Sequence, residues 1–418
     1  MKLNLPFGRA GVKLFVPDEN FLKTLMPNEL EKDLVGEDEI LRSLDNPIGT
    51  KCLKEMVHTG QKVVIVTSDI TRPMPSYKVL PYVLAELNAG GIPDEDITIV
   101  FALGSHRTHT EAEQRKLVGD TVYDRVTCLD SHGEFVHMGT TSRGTPVDIF
   151  KPVADADVRI CLGNIEFHYF AGYSGGAKAI MPGVSTRDAI QANHKRMVED
   201  AAKAGAIAGN PIREDIDEVC ARFVPIDFIV NVVLDEKKEI RRCVSGHFIE
   251  AHREGCKYLD RLYKVSIPQR ADIVIVSGGG FPKDLNLYQA QKALDNAKHA
   301  VKDGGSILWI ASAREGLGEK TFEQWMTGHE KASDMIEHIG REFRLGGHKA
   351  AAIAMVLENA DIFLYSDLDP ELVQKIHMIP CLAPQDTLEL LLEKYGPDAK
   401  VISMPFGGST LPQIEECL

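Results

Sequence analysis

The dominant pattern along the chain is a short β-branched apolar run, followed by a Gly or Asp turn and then by a helical stretch. KVVIVTSD (62–69) leads to a helical stretch at 76–90, and ITIVFALG (97–104) leads to another at 108–119. DVRICLGN (157–164) continues the series. Apolar runs with little polar alternation are typical of strands covered on both faces, as in parallel sheets. The pattern therefore predicts an α/β fold with doubly wound sheets.

One segment, KVSIPQR (264–270), is the best candidate for an interdomain linker, because it holds a proline and lacks apolar periodicity. After it the alternation restarts with ADIVIVSGG (271–279). A chain of 418 residues is long enough for two or three domains. The sequence thus predicts two doubly wound α/β domains, at 1–266 and 267–398. The last segment, 399–418, is expected to pack back on the first domain.

Composition narrows the class of protein. Lys and Arg number 47 against 61 Asp and Glu, and the net charge of −14 argues against general nucleic-acid binding, because it repels phosphate backbones. No apolar run reaches the roughly 18 residues needed to span a bilayer, and the N-terminal MKLNLPFGRA lacks the apolar core of a signal peptide. The eight cysteines form neither a CxxC motif nor a dense disulfide framework. These features predict a soluble cytoplasmic protein.

Ligands of open α/β sheets gather at the carboxyl ends of strands, so reactive residues just after predicted strands are of most interest. After the strand KVVIV come Ser68, Asp69, Ile70, Thr71 and Arg72. Two hydroxyls, a carboxylate and a guanidinium at a strand–helix turn suit an anionic or polyol ligand. A capped turn in which Asp69 and Arg72 pair only for structure explains the same residues, and the spacing alone leaves both interpretations open.

The next predicted strand ends at GSHRTH (104–109). A histidine just after a strand end and a tight glycine turn is well placed for acid–base chemistry or ligand binding, because its pKa lies near neutrality. His106, nearer the strand, is the better candidate for this role. His109 is more simply explained as a histidine packed at a helix start.

The segment with the most reactive residues runs from Asn164 to Gly183 and holds His168 and Lys178. It looks like a phosphate loop but lacks GxxxxGK[ST], because alanine flanks Lys178 on both sides. A glycine-rich turn that delivers one lysine suits a lysine that must come within bonding distance of a ligand. His194 follows at the end of a predicted helix, but without HExxH the scattered histidines are weak evidence for a metal site.

In the predicted second domain, SGGGFP (277–282) follows a strand. Lys283 ends the glycine run, and the absence of GxGxxG argues against a dinucleotide site. Gln289 and Lys292 then lie three residues apart on one helix face, near its N-terminus. An amide and an ammonium there would hold a carboxylate, although a solvated helix face explains them equally well.

Together these segments resemble the nickel-pincer lactate racemase family, which isomerises 2-hydroxy acids. The resemblance covers nearly the whole chain, with the motifs in the same order: SDITRP (68–73), GSHR (104–107), the loop from His168 to Lys178, Asn193-His194, and Tyr288 to Lys292. It implies a racemase or epimerase with its active site in the cleft between the two domains. The first domain would bind the cofactor, and the second would contribute substrate-binding residues.

The resemblance also implies a cofactor and residue roles. Family members carry nickel in an S–C–S pincer built on pyridinium-3,5-bisthiocarboxylic acid mononucleotide, the nickel-pincer nucleotide, which separate biosynthesis proteins assemble. The implied roles are cofactor contact by Asp69, Ile70, Thr71 and Arg72, a covalent link to the cofactor by Lys178, nickel ligation by His194, acid–base catalysis by His106 and His168, and substrate binding by Arg72, Gln289 and Lys292.

Elementary chemistry agrees with the implied reaction. The Cα hydrogen of a 2-hydroxy acid is a poor acid beside a carboxylate, so its removal as hydride is easier when a base takes the hydroxyl proton. The two enantiomers hold their hydroxyl groups differently against one fixed acceptor, so two bases are useful, and two histidines suit that role. Three alternatives stay open: a nicotinamide-dependent 2-hydroxy acid dehydrogenase, a zinc- or manganese-dependent hydrolase, and a phosphate-binding regulatory module.

Overall fold

The computed structural model describes residues 1–30, 35–235 and 237–415, and it has the α/β fold that the sequence predicts. The β-strands are β1 (Lys2–Phe7), β2 (Ala10–Phe15), β3 (Phe21–Thr24), β4 (Val63–Ser68), β5 (Ile97–Ala102), β6 (Thr127–Asp130), β7 (Phe135–Thr140), β8 (Pro146–Phe150), β9 (Val158–Asn164), β10 (Phe167–His168), β11 (Gly172–Tyr173), β12 (Phe228–Leu234), β13 (Ile240–Gly246), β14 (Lys264–Ile267), β15 (Ala271–Ser277), β16 (Val301–Ile310), β17 (Ala360–Tyr365), β18 (Ile379–Pro380), β19 (Val401–Met404) and β20 (Leu411–Ile414). The α-helices are α1 (Glu37–Asp45), α2 (Ser76–Ala89), α3 (Glu111–Val118), α4 (Asp120–Tyr123), α5 (Lys151–Ala154), α6 (Arg187–His194), α7 (Pro211–Arg222), α8 (Glu250–Tyr263), α9 (Leu287–Ala297), α10 (Lys320–Gly328), α11 (Ala332–Arg341), α12 (Gly347–Leu357), α13 (Pro370–Lys375) and α14 (Pro384–Tyr395). Among the described residues, the structure contains no helix with the length and apolar character that a membrane span requires.

The chain divides into two compact units, and the first comprises Leu30–Asp260. Its six-stranded sheet has the order β13-β12-β9-β4-β5-β6, and the strands run parallel except β13, which pairs antiparallel with β12. Every residue of β9 is buried. Leu80 and Leu84 of α2 pack with Ile65 and Ile99 of the sheet in one hydrophobic core. The apolar runs of the sequence are thus buried parallel strands, as predicted.

The strand order of the first unit is doubly wound. From β4 the chain proceeds to β5 and β6 on one side, and then returns to β9 and β12 on the other. The switch point therefore lies between β4 and β9, where ligands of such sheets bind at the carboxyl ends of the strands.

The second unit comprises Met1–Glu29 and Arg261–Leu418. Its six strands run parallel in the order β18-β17-β16-β15-β19-β3. The antiparallel hairpin β1–β2 contributes Leu5 and Leu14 to a core with Ile275 and Leu308 of this sheet. The order is again doubly wound, because β16 to β18 extend from one side of β15 and β19 lies on its other side.

These units correct the predicted domains at both chain ends. The described part of the segment 399–418, residues 399–415, belongs to the second unit rather than the first, since β19 pairs in parallel with β15 and is buried along its whole length. The first 29 residues belong there too, because β3 pairs with β19. The predicted linker 264–270 contributes the strand β14, which pairs with β20. Residues 416–418 of the C-terminal prediction lie outside the described residues.

Three segments singled out in the sequence leave neighbouring strands at one edge of the first sheet. β4 ends at Ser68, β5 at Ala102 and β9 at Asn164. Because these parallel strands lie side by side in the order β9-β4-β5, the residues that follow them gather at the same edge, beside the switch point.

Candidate active site

The turn after β4 and the loop after β5 meet through Asp69 and His106. Asp69 Oδ2 lies 2.7 Å from His106 Nδ1, and the hydroxyl oxygen of Thr71 lies 3.0 Å from both carboxylate oxygens of Asp69. The Asp69 side chain is buried, whereas that of His106 is 25% exposed. A carboxylate only accepts hydrogen bonds, so Nδ1 of His106 carries the proton and Nε2 is the nitrogen that can accept a proton from a ligand.

The electrostatics of this pair keep Asp69 ionised. Burial raises the pKa of Asp69, but the hydrogen bond and charge of His106, together with the charge of Arg72, outweigh burial and leave this pKa below its ordinary value. Arg72 is exposed, and the backbone N–H of Arg72 donates to the Asp69 carbonyl at 3.1 Å. The turn therefore places the Arg72 guanidinium near the Asp69 carboxylate, which is already hydrogen-bonded to His106.

His109 supports the turn from behind. Its side chain is 1% exposed, its Nδ1 lies 2.6 Å from Asp130 Oδ1, and its ring lies edge-on to Phe101. The backbone N–H of Ile70 donates to His109 Nε2 at 3.1 Å, so the proton of the neutral ring is on Nδ1 and is donated to Asp130. This geometry agrees with the interpretation of His109 as a packed histidine, and its contact with the Ile70 N–H also fixes the backbone of the turn.

A second group of predicted residues surrounds the ring of Phe170, a buried residue in the turn between β10 and β11. The imidazoles of His168 and His194 lie edge-on to this ring, with centroids 4.4 and 4.8 Å from its centroid. Lys178 Nζ lies 5.7 Å from the same centroid. Sequence reasoning missed Phe170, although an aromatic residue within the histidine–glycine–lysine segment is a usable signal for a packing centre.

The glycine-rich turn before Lys178 is fixed by close packing. Gly176 has φ +58° and donates its N–H to Asn231 Oδ1 at 2.7 Å. A Cβ at this position would lie 2.9 Å from the ring of His252, so only glycine fits. His252 Nε2 in turn donates to the Ser174 carbonyl at 2.8 Å. The prediction of a tight turn that delivers one lysine agrees with this geometry.

The surroundings of Lys178 favour its neutral amine. Burial lowers the pKa of Lys178 well below its ordinary value, and the charges of Arg213 and Arg72 lower it further. Arg213 is fully buried and donates to the carbonyls of Ala171 and Tyr173. A lysine with a lowered pKa has more of the nucleophilic form at neutral pH. Sequence reasoning did not identify Arg213, because its position depends on the packing of α7.

The environment of His168 likewise favours a neutral side chain. Burial lowers the pKa of His168 well below its ordinary value, and the charges of Arg72 and Arg213 lower it further. The N–H of Ala171 donates to His168 Nδ1 at 3.3 Å, so the neutral ring carries its proton on Nε2. The two histidines therefore differ at Nε2: in His106 this nitrogen can accept a hydrogen bond, and in His168 it can donate one.

His194 is buried at the end of α6. Its Nδ1 lies 2.8 Å from Asn193 Oδ1, so Nδ1 carries the proton and Nε2 carries the lone pair. Within the described residues there is no group of three or more His, Cys, Asp or Glu side chains that could hold a metal ion.

The two predicted substrate-binding residues lie in the second unit, on α9. Gln289 and Lys292 are both exposed near the N-terminus of this helix, which Asn286 caps by accepting from the Gln289 N–H at 3.0 Å. Lys349, also in the second unit, contacts this helix at Tyr288, with Nζ 2.6 Å from the Tyr288 carbonyl. The segment 346–349 forms the start of α12.

Comparison with known proteins covers nearly the full chain. Residues 7–205 match the lactate racemase N-terminal domain, and residues 267–411 match the lactate racemase C-terminal domain. The lactate racemase of Thermoanaerobacterium thermosaccharolyticum is 31% identical over 98% of both chains, and that of Lactiplantibacillus plantarum is 32% identical over 97% of this chain and 98% of its own. The structure of the T. thermosaccharolyticum apoprotein superposes with a TM-score of 0.87 and 30% identity, covering 99% of this chain and 100% of the other. With both domain models, full-length relatives and a shared fold in agreement, this chain belongs to the lactate racemase family.

Proposed function

We propose that this chain racemises 2-hydroxy acids, with lactate as the first substrate to test, at the site formed by the Asp69–His106 pair and the side chains around Phe170. The observation that carries the proposal is the convergence of His168, Lys178 and His194 on one aromatic ring. Membership of the lactate racemase family supplies the reaction class.

The two imidazoles divide the proton transfers. His106, held through Nδ1 by Asp69, offers the lone pair of Nε2 to the substrate hydroxyl and takes its proton. His168 offers Nε2–H to the substrate oxygen. In its imidazolium form, with a proton taken from solvent, it gives the Nε2 proton to the keto oxygen and is left neutral, while His106 releases to solvent the proton it has taken, so that the transfers balance over one turnover. Since the two enantiomers hold their hydroxyl groups differently against one hydride acceptor, two acid–base groups with opposite resting functions suit the reaction. Arg72 supplies a positive charge for the substrate carboxylate.

The residues present fit a nickel-pincer nucleotide. A neutral lysine amine suits covalent attachment, and one imidazole with its lone pair on Nε2 suits a metal whose other donors arrive with the cofactor. We propose that Lys178 forms the link, that His194 ligates nickel, and that residues 69–72 contact the cofactor. When bound, this group supplies the hydride acceptor. Separate cofactor-biosynthesis proteins would then be required partners.

The alternatives have less support. The turn after β4, where a dinucleotide-binding sheet carries its glycines, is Asp69-Ile70-Thr71-Arg72-Pro73 and holds no glycine. A zinc or manganese hydrolase needs several protein ligands, and the described residues contain no such group. The substrate-binding roles of Gln289 and Lys292, the cleft position of the site and the cytoplasmic location stay predictions.

An isotope experiment tests the proposal. Protein produced together with the cofactor-biosynthesis proteins is incubated with (S)-lactate carrying deuterium at C2, without added nicotinamide cofactor. We expect (R)-lactate to form with the deuterium retained at C2, because the hydrogen moves as hydride and returns. His168→Gln should lower the rate by about 10²–10⁴-fold, the range of general acid–base catalysis. Loss of the label to water, or absence of an inverted product from lactate and from every other 2-hydroxy acid of a panel, would contradict the proposal.

A further inference from the structure

A buried carboxylate lies behind His194 and accepts hydrogen bonds from three donors on two elements. Asp215, on α7, is fully buried. Its Oδ1 accepts from the Thr141 hydroxyl at 2.6 Å, and its Oδ2 accepts from the Thr145 hydroxyl at 2.6 Å and from Asn193 Nδ2 at 2.8 Å. Thr141 and Thr145 lie in the turn between β7 and β8, and Asn193 lies on α6. One carboxylate therefore joins a hairpin and two helices.

The amide of Asn193 has a single satisfied orientation in this network. Its Nδ2 donates to Asp215 and, at 3.3 Å, to the carbonyl of Ile212, so both amide protons face acceptors. Its Oδ1 consequently faces His194 Nδ1 at 2.8 Å. An amide oxygen only accepts hydrogen bonds, so this contact requires a proton on Nδ1. In the neutral ring, Nε2 then carries the lone pair.

We infer that Asn193 and Asp215 are positioning residues for His194, which fix its ring and keep its proton on Nδ1 so that Nε2 is the ligating nitrogen. The inference rests on the proposed function for the identity of the ligand. Phe170 holds the same ring by an apolar edge contact, which does not distinguish the two neutral tautomers, whereas the hydrogen bond to Asn193 does.

The Asp215 carboxylate strengthens the hydrogen bond between Asn193 and His194, although it contacts only Asn193. A negative charge on the donor side of an amide polarises it and makes its oxygen a better acceptor. Partners of this kind orient metal-binding histidines and raise the basicity of the ligating nitrogen. The two threonine hydroxyls satisfy the remaining capacity of Asp215, so its position is set by the β7–β8 turn as well as by α7.

The tautomer of His194 can be measured in the chain without cofactor. Histidine labelled with ¹⁵N gives different Nδ1 and Nε2 shifts for the two neutral forms, and the His194 signals are those lost in His194→Gln. At a pH well above the ordinary imidazole pKa of about 6.5, we expect wild-type His194 in the Nδ1–H form. Asn193→Leu keeps roughly the same side-chain volume but removes both the donor and the acceptor of the amide. It should therefore shift His194 to the Nε2–H form that an unconstrained histidine side chain prefers in water.

Two further variants separate positioning from general structure. The double variant Asn193→Asp/Asp215→Asn exchanges amide and carboxylate, keeps an acceptor opposite Nδ1, and should retain the Nδ1–H form. Thr145→Val is the matched control, because it removes one donor to Asp215 without touching the bond to His194, and it should retain the same form. In protein loaded with cofactor, Asn193→Leu should also weaken nickel retention by about 10–100-fold.

The outcomes keep this inference apart from the proposed function. An Nε2–H His194 in the wild type would overturn the inference, and this result can be obtained even if Asn193→Leu does not fold. An unchanged tautomer in folded Asn193→Leu would also overturn it. A wild-type chain with Nδ1–H His194 that does not racemise hydroxy acids would contradict the proposed function and leave the positioning of His194 standing.

Discussion

His109 holds the turn after β4 with one ring nitrogen and Asp130 with the other, so its two functions can be removed together by one substitution. His109→Phe keeps a buried ring beside Phe101 but removes the acceptor for the Ile70 N–H. We expect the Ile70 amide to exchange with solvent roughly fivefold faster, the equivalent of a hydrogen bond of about 1 kcal/mol. The free energy of unfolding should fall by about 1–3 kcal/mol, because the nearly buried Asp130 carboxylate loses a donor.

Hydrogen exchange and urea unfolding measure these two effects. Arg107→Ala is the control from the same loop, since Arg107 is exposed and pairs with Glu113 at the surface. It should leave the Ile70 amide unchanged and alter stability by less than about 1 kcal/mol. Unaltered exchange of Ile70 in His109→Phe would show that the turn is held by other contacts.

At the level of elements, the sequence predicted the strands that are continuous apolar runs. The runs at 62–69 and 157–164 form β4 and β9, with boundaries within one residue. The strands β3 and β14 were not predicted, because they have only four residues each and neither is a continuous buried run. All four residues of β3 are half-buried, and in β14 buried residues alternate with more exposed ones. Their pairing partners, β20 for β14 and β19 for β3, are more than 100 residues away in the sequence, and local pattern carries no information about such contacts.

The assignment of β19 to the second sheet can be tested by a pair of matched substitutions. Ile402 in β19 and Ile65 in β4 are both fully buried. Truncation of either to alanine should lower stability by about 2–5 kcal/mol, since each leaves a cavity in a packed core. We expect Ile402→Ala to speed amide exchange in β15, its neighbour in the sheet, and Ile65→Ala to speed exchange in β5 and β9. If Ile402→Ala speeds exchange in β9 more than in β15, the result would favour the placement predicted from the sequence, in which 399–418 packs on the first domain.

For the whole molecule, the candidate site was predictable in its positions but not in its contacts. Doubly wound sheets place ligand-binding residues after neighbouring strands, and this rule located His106 and the turn 69–72. The convergence of His168 and His194 depends on the packing of Phe170 between them, which no spacing in the sequence encodes. The network behind His194 was out of reach for the same reason, because Asp215 meets Asn193 only through the packing of α7 against α6.

The separate roles proposed for Lys178, covalent attachment, and for His194, nickel binding, give a last prediction about the protein loaded with its cofactor. Chain produced alone should have the mass of the bare polypeptide, and chain produced with the cofactor-biosynthesis proteins should carry the added mass of one cofactor and bound nickel. Lys178→Met should lose the added mass, because no amine remains to form the link. His194→Gln should keep the added mass but lose nickel more readily, because the link is intact and one ligand is missing.

Intact-mass spectrometry under denaturing conditions and metal analysis after dialysis read the two properties separately. Lys195→Met is the matched control, since Lys195 is an exposed lysine next to His194 and should affect neither. If Lys178→Met retained the covalent mass, another side chain would form the link, and the lowered pKa of Lys178 would then serve only to reduce positive charge next to His168. If His194→Gln lost the covalent mass as well, attachment and metal binding would be one coupled event rather than two residue functions.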